Sequence, residues 1–282
     1  MIKLKKRIFA AALAAAALAG GTFTPAGDGA SAAGSPRVAV FVNGARVEAR
    51  ADAVIIGAMT YVPFRDYSAA LGAAGAAAGA NGALRASAPG LTVEARAGDS
   101  YIVANGRYLY APSGCIGAAG DVLVPLRALG RAFGAAITWN EVRREVYVRT
   151  FGNAAIATGD SFYNKEDVLW LSRIISAEAR GEPMQGKIAV GNVVMNRKES
   201  PYYPNTVYGV IFDRRSGVQF TPAYSGAINC NPSPDCVIAA KIALDGGNTA
   251  GNSLFFASAY SRCWAASHRP FNGKIGNHNF YA

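Results

Sequence analysis

The chain has 282 residues, of which 28 are lysine or arginine and 18 are aspartate or glutamate, so its formal net charge is +10. A positive balance suits an anionic polymer as partner. Nucleic acid is not predicted as that polymer, because the positive charges form no basic run or basic helix. The two histidines, His268 and His278, are too few for a metal cluster, and no metal or cofactor is predicted.

Residues 1–33 are predicted to be a secretory signal peptide. Four basic residues near the N-terminus precede the apolar residues 8–18, and Ala30-Ser31-Ala32 provides a small-residue cleavage site. The apolar stretch is shorter than the roughly 20 residues that span a membrane. Cleavage would export a protein without a membrane span and with a net charge of about +7. Without cleavage the segment would stay as an N-terminal anchor.

Four cysteines lie beyond the signal, and an oxidising compartment permits disulfides. Cys230 and Cys236 flank a turn-rich loop, so we predict a small disulfide between them. The pairing of Cys115 and Cys263 is left open, because these residues lie in different halves of the chain. The spacing does not match a zinc site, because no second Cys or His pair accompanies it.

Residues 36–150 contain an internal repeat, with copies at about 36–98 and 99–150. Val-Pro-x-Arg occurs at residues 62–65 and again 62 residues later at 124–127, and an Asn-Gly pair precedes each copy. Asn-Gly favours a tight hairpin turn, because both central turn residues need positive φ. Each copy is predicted to form a hairpin, a strand, a short helix and a final strand pair. The small residues 74–80 make an irregular last hairpin the expectation for the first copy.

This repeated motif resembles the copper amine oxidase N-terminal-like stalk domain of secreted proteins from Gram-positive bacteria. The resemblance implies a β-rich spacer or wall-binding module that does not bind copper, and the segment has no histidine. We expect Arg65 and Arg127 to brace their own helices rather than bind a polymer. Residues 151–163 are predicted to be a linker.

Residues 164–282 are predicted to be a second, mainly helical domain. The first helix begins at Asn164 or Asp167 as cap and ends after Arg180, where Gly181 and Pro183 follow. A second helix is predicted over about 185–197, a third over about 237–244, and a short strand over 253–257. The predicted fold class for the whole chain is therefore α+β.

Glu178 is the leading catalytic candidate in that domain. Val168, Leu171, Ile175 and Glu178 share one face of the first helix, which places a carboxylate on an apolar side. Desolvation raises the pKa of a carboxyl group, and a protonated carboxyl is what glycosidic cleavage requires. The alternative is a salt bridge between Glu178 and Arg180.

The same segment resembles SleB/CwlJ-type cell-wall hydrolases, which include spore cortex-lytic enzymes. The resemblance rests on Ala-Glu-Ala-Arg-Gly-Glu-Pro at 177–183, Val-Val-Met-Asn-Arg at 193–197, Gln-Phe-Thr-Pro at 219–222 and Ile-Gly-Asn-His-Asn-Phe-Tyr at 275–281. It implies a lysozyme-like catalytic domain with Glu178 as the catalytic acid and peptidoglycan as substrate. A secreted location in the cell wall or spore envelope follows, with cortex lysis during germination as one expected role.

The reaction type depends on whether a second carboxylate takes part, because most glycosidases use two. The candidates are Glu182, Glu199, Asp213, Asp235 and Asp245, and only Glu182 is near Glu178 in sequence. Our hypothesis is a lytic transglycosylase, in which the C6 hydroxyl of N-acetylmuramic acid attacks C1 and one carboxyl group suffices. A hydrolytic muramidase or glucosaminidase is the alternative.

Sugar binding requires aromatic faces and amide groups in one groove. The predicted substrate-binding residues are Asn196, Gln219, Phe220 and Tyr281. Asn196 would otherwise cap a helix and Phe220 would otherwise belong to the core. Three further aromatic residues are weaker candidates for the groove: Tyr202, Tyr203 and Trp264. His278 is expected to make a structural hydrogen bond.

Two rival functions differ in class from a glycan-cleaving enzyme. A cysteine peptidase or amidase would use Cys263 as nucleophile and His268 as base, but no peptidase signature surrounds Cys263. A non-catalytic cell-wall-binding protein would not need the intact Ala-Glu-Ala-Arg-Gly-Glu run. Cortex or vegetative wall as substrate, protein partners and oligomeric state are left open.

Overall fold

The computed structural model describes residues 35–152 and 155–282. The predicted signal peptide, residues 1–33, lies outside the described residues, as do residues 153 and 154 of the predicted linker. Within the two described ranges, no helix combines the length and the apolar character needed to cross a membrane.

The N-terminal region consists of short strands, with one short helix after each Val-Pro-x-Arg motif. The strands are β1 (Ala39–Val42), β2 (Ala45–Arg46), β3 (Val54–Ile56), β4 (Met59–Pro63), β5 (Ala76–Ala78), β6 (Leu84–Ala88), β7 (Leu91–Ala95), β8 (Tyr101–Ala104), β9 (Arg107–Tyr110), β10 (Ile116–Ala118), β11 (Asp121–Pro125), β12 (Ala136–Asn140) and β13 (Glu145–Arg149). The helices are α1 (Phe64–Ala70) and α2 (Leu126–Ala132), and a 3₁₀ turn covers Ala80–Gly82.

The two copies of the repeat face each other across an antiparallel pair of strands. β4 pairs with β11 so that Val62 lies opposite Val124, its own equivalent at the 62-residue offset. The Asn-Gly turns have the predicted geometry: φ is 51° at Asn43 and 49° at Asn105, and it is also positive at both following glycines. These are the dihedral signs of tight hairpin turns that match the twist of their strands.

Each outer sheet combines strands from both copies. One has the order β12-β13-β1-β2, so the last strands of the second copy join the first strands of the first copy. The other has the order β5-β6-β7-β8-β9, which repeats that arrangement with one additional strand, β7, between β6 and β8. The alanine-rich segment of the first copy thus still forms a strand pair, β5 with β6. Because the outer sheets share strands from both copies, the two copies form one apolar core, which contains Val62, Phe64, Val124, Leu126 and Leu129.

The C-terminal region is mainly helical and ends in a small sheet. Its helices are α3 (Gly159–Phe162), α4 (Lys165–Ala179), α5 (Met184–Glu199), α6 (Val207–Ile211), α7 (Pro222–Ser225), α8 (Pro234–Leu244) and α9 (Trp264–His268), with a 3₁₀ turn at Ala227–Asn229. Its strands are β14 (Phe255–Ser258), β15 (Phe271–Ile275) and β16 (His278–Tyr281), in the order β14-β16-β15. The helices α4, α5 and α8 pack on one another around a second apolar core. The predicted α+β class is confirmed.

The predicted linker holds a structured contact between the two regions. Helix α3 lies within it, capped by the Thr158 side chain, which accepts a hydrogen bond from Ser161 N. Gly159 N donates to Asn105 O over 2.8 Å, and a Cβ at Gly159 would come within 2.6 Å of Gly106 O. Only glycine permits this approach between α3 and the second hairpin turn.

A buried carboxylate joins the two regions. Asp245, at the end of α8, accepts hydrogen bonds from Arg107 Nη2 over 2.6 Å, from Arg131 Nη2 over 2.8 Å and from Tyr163 Oη over 2.6 Å. The side chains of Asp245 and Arg107 are almost completely buried. Because two guanidinium groups and one hydroxyl group donate hydrogen bonds to this carboxylate, its buried charge is compensated by both countercharge and hydrogen bonding.

Two predictions about side chains in these regions are corrected by the structure. Arg65 does brace the fold, but it donates to Gly120 O in the turn between β10 and β11 and to Ala76 O on β5 rather than capping its own helix. Arg127 is exposed and makes no hydrogen bond or ion pair with any described residue, so it braces nothing.

The structure does not form the predicted Cys230–Cys236 disulfide: both thiols are free. Cys236 lies in the first turn of α8 and points into the core, where its sulfur is 3.2 Å from Ser233 Oγ. Cys230 is exposed. Because α8 begins directly after the loop, the Cys236 thiol is buried in the core while the Cys230 thiol stays exposed. Cys115 is also free and buried, and burial raises the pKa of its thiol to about 12.

Candidate active site

Glu178 lies in the last turn of α4, and the sequence explains why that helix forms there. Asn164 Oδ1 accepts hydrogen bonds from the backbone N–H groups of Glu166 and Asp167, as the cap prediction required. Leu171 and Ile175, on the same face as Glu178, are fully buried. Glu178 is thereby held, partly buried, at the end of a helix anchored in the core.

Glu178 has no countercharge. Arg180, its expected alternative partner, instead donates a hydrogen bond to Asn231 O over 2.9 Å. No hydrogen bond or ion pair joins the Glu178 carboxyl group to any other described side chain. Burial raises the pKa of Glu178 from 4.5 to about 6. The partial negative charge at the C-terminal end of α4 acts in the same direction.

Glu182, the predicted second carboxylate, has a structural role. Its Oε2 accepts a hydrogen bond from Asn277 N over 2.9 Å, and its Oε1 accepts one from Asn277 Nδ2 over 3.1 Å. It thus fastens the two-residue turn between β15 and β16, where Gly276 has a φ of 56°. A Cβ at Gly276 would overlap Glu182 Oε2. A carboxylate tied into a hairpin turn is poorly placed to activate a water molecule.

The remaining carboxylate candidates have environments that do not suit a second catalytic group. Asp213 is paired with Arg215, whose guanidinium hydrogen bonds lower the pKa of the Asp213 carboxyl. Asp245 belongs to the buried contact between the two regions. Glu199 and Asp235 are exposed, Glu199 beside Lys198 and Asp235 in the first turn of α8.

An open groove of about 700 Å³ runs along the C-terminal region beyond the end of α5. Gln219 lines it, and so do the three weaker aromatic candidates. Phe255 and Arg269 also line the groove, and the Arg269 guanidinium lies over the rings of Phe255 and Trp264, 5.1 Å and 5.4 Å from their centroids. Aromatic faces beside cationic and amide groups are the lining expected for an acidic glycan.

Two of the four predicted substrate-binding residues are buried, and a third is bonded to the protein through its amide nitrogen. Phe220 is only 1% exposed and packs 6.2 Å from the Phe256 ring, and Tyr281 is 6% exposed at the end of β16. Asn196 Nδ2 donates to both Gly251 O and Ser253 O, which fixes a loop to α5. These are core and scaffold roles, and they leave Gln219 as the predicted residue that lines the groove.

Arg197 is a residue that the sequence reasoning missed. It is buried, its Nε donates to Leu254 O over 2.7 Å, and its guanidinium lies 5.1 Å to 5.5 Å from three ring centroids. Two of those rings, Tyr203 and Phe255, line the groove. Arg197 therefore holds the groove wall from beneath. The signal available was a cation beside Asn196, directly after the apolar run Val193-Val194-Met195.

One chain segment connects the groove to the end of α4. It begins at Gln219 in the groove, continues through α7 and the 3₁₀ turn, both of which pack against α4, and reaches Asn231 at the hydrogen bond from Arg180. This segment thus links the groove to the C-terminal end of α4, the helix that carries Glu178, although Glu178 itself is not among the residues that line the groove.

The remaining polar candidates do not form a nucleophile and base pair. His268 Nδ1 lies 2.9 Å from Trp264 O and its ring stacks on Trp264, so the imidazole is held within its own helix. No hydrogen bond joins it to Cys263 in the described part of the chain. His278 packs edge-on to Phe256. Its pKa is lowered by burial, and the nearby Glu182 only partly offsets that effect. The expected structural hydrogen bond of His278 is not formed at Nδ1, which is buried without a described partner.

Comparison with known proteins gives two family matches. The model of the cell wall hydrolase family matches residues 181–281, and that of the copper amine oxidase N-terminal domain matches residues 41–149. Glu178 lies three residues before the first of these ranges. Both matches agree with the resemblances noted in the sequence.

Individual relatives are similar to the C-terminal region. A spore cortex-lytic enzyme of Bacillus cereus is 36% identical over 121 residues, which are 42% of this chain and 45% of that protein. One from Oceanobacillus iheyensis is 34% identical over 120 residues, 42% of each chain. The chain therefore spans less than half the length of these curated relatives.

A solved structure described as the catalytic domain of the germination-specific lytic transglycosylase SleB from Bacillus anthracis is 33% identical. The match covers 45% of this chain and 100% of that one, with a TM-score of 0.39. The C-terminal region is thus similar to the cell wall hydrolase family, and the N-terminal region is similar to the copper amine oxidase N-terminal domain.

Proposed function

We propose that this protein is an exported enzyme that cleaves the glycan strand of peptidoglycan next to N-acetylmuramic acid, as a lytic transglycosylase with Glu178 as its acid and base. The observation that carries the proposal is the environment of Glu178. Its carboxyl group is partly buried, forms no ion pair with any residue that the structure describes and has a pKa raised to about 6 by burial. Such a group keeps a protonated fraction at mildly acidic to neutral pH, unlike an ordinary carboxyl group, and can also act as a base once it has given that proton away.

The reaction needs one carboxyl group. Glu178 donates its proton to the oxygen of the glycosidic bond, the bond from that oxygen to C1 of N-acetylmuramic acid breaks, and the C6 hydroxyl of the same sugar attacks C1. The Glu178 carboxylate then accepts the proton of that hydroxyl. The products are a 1,6-anhydro sugar and a new hydroxyl on the leaving sugar, and no water is consumed.

The engagement of Glu182 with the hairpin turn favours this route over hydrolysis. A hydrolytic enzyme of the usual kind needs a second carboxylate, either to activate water or to attack C1. Glu182 already accepts two hydrogen bonds from Asn277, and the other candidates are paired or exposed. The acidic glycan would lie in the groove lined by Gln219, Trp264 and Arg269.

The biological setting is proposed from the curated relatives, which are named spore cortex-lytic enzymes. We propose that the substrate is the wall of a spore or of its parent cell and that the enzyme acts during germination. The signal-like residues 1–33 would deliver it to that compartment.

Digestion of purified peptidoglycan in ¹⁸O-labelled water tests the reaction type. The proposal predicts soluble fragments that end in 1,6-anhydro-muramic acid and carry no ¹⁸O at C1. Reducing ends that carry ¹⁸O would mean hydrolysis and would refute transglycosylation. Comparing cortex with vegetative wall as substrates, in the same experiment, tests the proposed setting.

A further inference from the structure

The two copies of the N-terminal repeat use their equivalent arginines differently. Arg65 donates hydrogen bonds to two backbone carbonyls, one in the turn before β11 and one on β5. Arg127, at the same position of the second copy, is exposed and has no hydrogen bond or ion pair within the described residues. It lines an open groove of about 330 Å³ on the N-terminal domain. A duplicated fold thus keeps one arginine for structure and leaves the other available to a ligand.

The groove beside Arg127 has an aromatic wall and an apolar floor. Trp139, on β12, is 36% exposed, and its indole N–H is bonded to Glu141, which fixes the orientation of the ring. At the 62-residue offset the first copy has Ala77, so it lacks this wall. Ile137 forms part of the floor, and a Cβ at Gly130 would come within 2.7 Å of it. Glycine at that position therefore allows the floor to pack closely on α2.

We propose that the groove between Arg127 and Trp139 is a second binding site, which holds a carboxylate-bearing sugar unit of the cell wall. The face of a pyranose ring is apolar enough to stack on an indole, and the unpaired guanidinium can hold a carboxylate with two hydrogen bonds. The muramic acid units of peptidoglycan offer both groups, since their stem peptides carry carboxylates. This site lies in the N-terminal domain, separate from Glu178, and it does not depend on the reaction proposed for Glu178.

Charge and shape favour this occupant over others. The net charge of +10 attracts an anionic polymer. Arg127 is the cation that lines the groove, which matches one carboxylate better than the row of phosphates on a nucleic acid. The neighbouring Glu141 is already engaged by the indole N–H, while Arg143 and Arg144 on the same exposed turn add positive charge.

The test is isothermal titration calorimetry with a disaccharide-tetrapeptide muropeptide, which needs no tryptophan as reporter. This ligand lacks the bond that the proposed reaction cleaves, so binding is measured without turnover. The full chain would carry Trp264→Ala, which removes an aromatic face from the other groove and leaves the groove beside Arg127 intact. Chitotriose, a neutral sugar, is the matched ligand without a carboxylate.

The expected effects follow from one stacked ring and one charged hydrogen-bond pair. Trp139→Ala should weaken muropeptide binding about tenfold. Arg127→Ala should weaken it about five- to tenfold while leaving chitotriose binding unchanged. Two controls should bind normally: Arg85→Ala removes one exposed positive charge from the same domain, and Phe151→Ala removes an exposed ring outside the groove.

Three outcomes would overturn the proposal. Muropeptide affinity within twofold of the parent in both groove variants would show that the groove does not bind it. Equal affinity for chitotriose and muropeptide in the parent would refute the role of Arg127. A dimer in sedimentation velocity that dissociates on Trp139→Ala would show that a second copy of the chain occupies the groove instead.

Discussion

Replacing Glu178 by glutamine should stabilise the folded protein at neutral pH. Burial raises the pKa of Glu178 from 4.5 to about 6, so the folded chain binds this proton more tightly than the unfolded chain. The folded state therefore loses stability as pH rises from about 4 through 6, and the loss is complete above that pH. Because a tenfold change in proton affinity corresponds to about 1.4 kcal/mol, raising the pKa from 4.5 to about 6 lowers the free energy of unfolding above pH 6 by about 2 kcal/mol. Glutamine is neutral at every pH and avoids this loss.

Thermal unfolding of both proteins at pH 7.5 and pH 4 measures the effect. At pH 7.5 the variant should unfold about 4–8 °C higher. At pH 4, where Glu178 is protonated in both the folded and unfolded chains, the difference should nearly vanish. Glu199→Gln is the matched control, since it removes an exposed carboxylate from the same region and its removal relieves no desolvation. An unfolding temperature of Glu178→Gln equal to or below the parent at pH 7.5 would refute the view that Glu178 is an unpaired, desolvated acid.

Three further predictions concern side chains with structural roles. Asp245→Asn should lower the free energy of unfolding by about 3–5 kcal/mol, because it leaves Arg107 and Arg131 without their buried countercharge. Urea unfolding measures this loss, and a loss under 1 kcal/mol would contradict the prediction. Glu182→Gln should lose about 1–3 kcal/mol in the same assay because it weakens the bonds to Asn277, yet it should still yield anhydro products. Cys230→Ser should leave the unfolding midpoint unchanged under oxidising conditions, because the Cys230 thiol is free. A lower midpoint would support the predicted disulfide between Cys230 and Cys236.

Local signals in the sequence predicted the elements around Glu178. The Asn164 cap, the Gly181 and Pro183 stop and the apolar face that includes Ile175 are all short-range features, and the helix spans Lys165–Ala179 as expected. The repeat was likewise readable, because Asn-Gly turns depend on the dihedral angles of two residues.

Contacts between distant residues could not be predicted in the same way. The partner of Glu182 is Asn277, 95 residues away, and the partner of Arg107 is Asp245, 138 residues away. The aromatic ring of Phe220 makes it a predicted sugar-binding residue, but Phe220 is buried and its neighbour Gln219 lines the groove. Alternation of burial between adjacent residues in a loop has no fixed period, so the sequence did not distinguish them.

The most direct test of the central claim compares the parent, Glu178→Gln and Glu182→Gln for release of soluble muropeptides from purified peptidoglycan. We expect the parent and Glu182→Gln to release fragments ending in 1,6-anhydro-muramic acid. Glu178→Gln should fold, with an unchanged circular dichroism spectrum, but release at least about 10²-fold less, since glutamine cannot donate the proton. Undiminished release by folded Glu178→Gln would contradict the assignment of Glu178 as the catalytic acid.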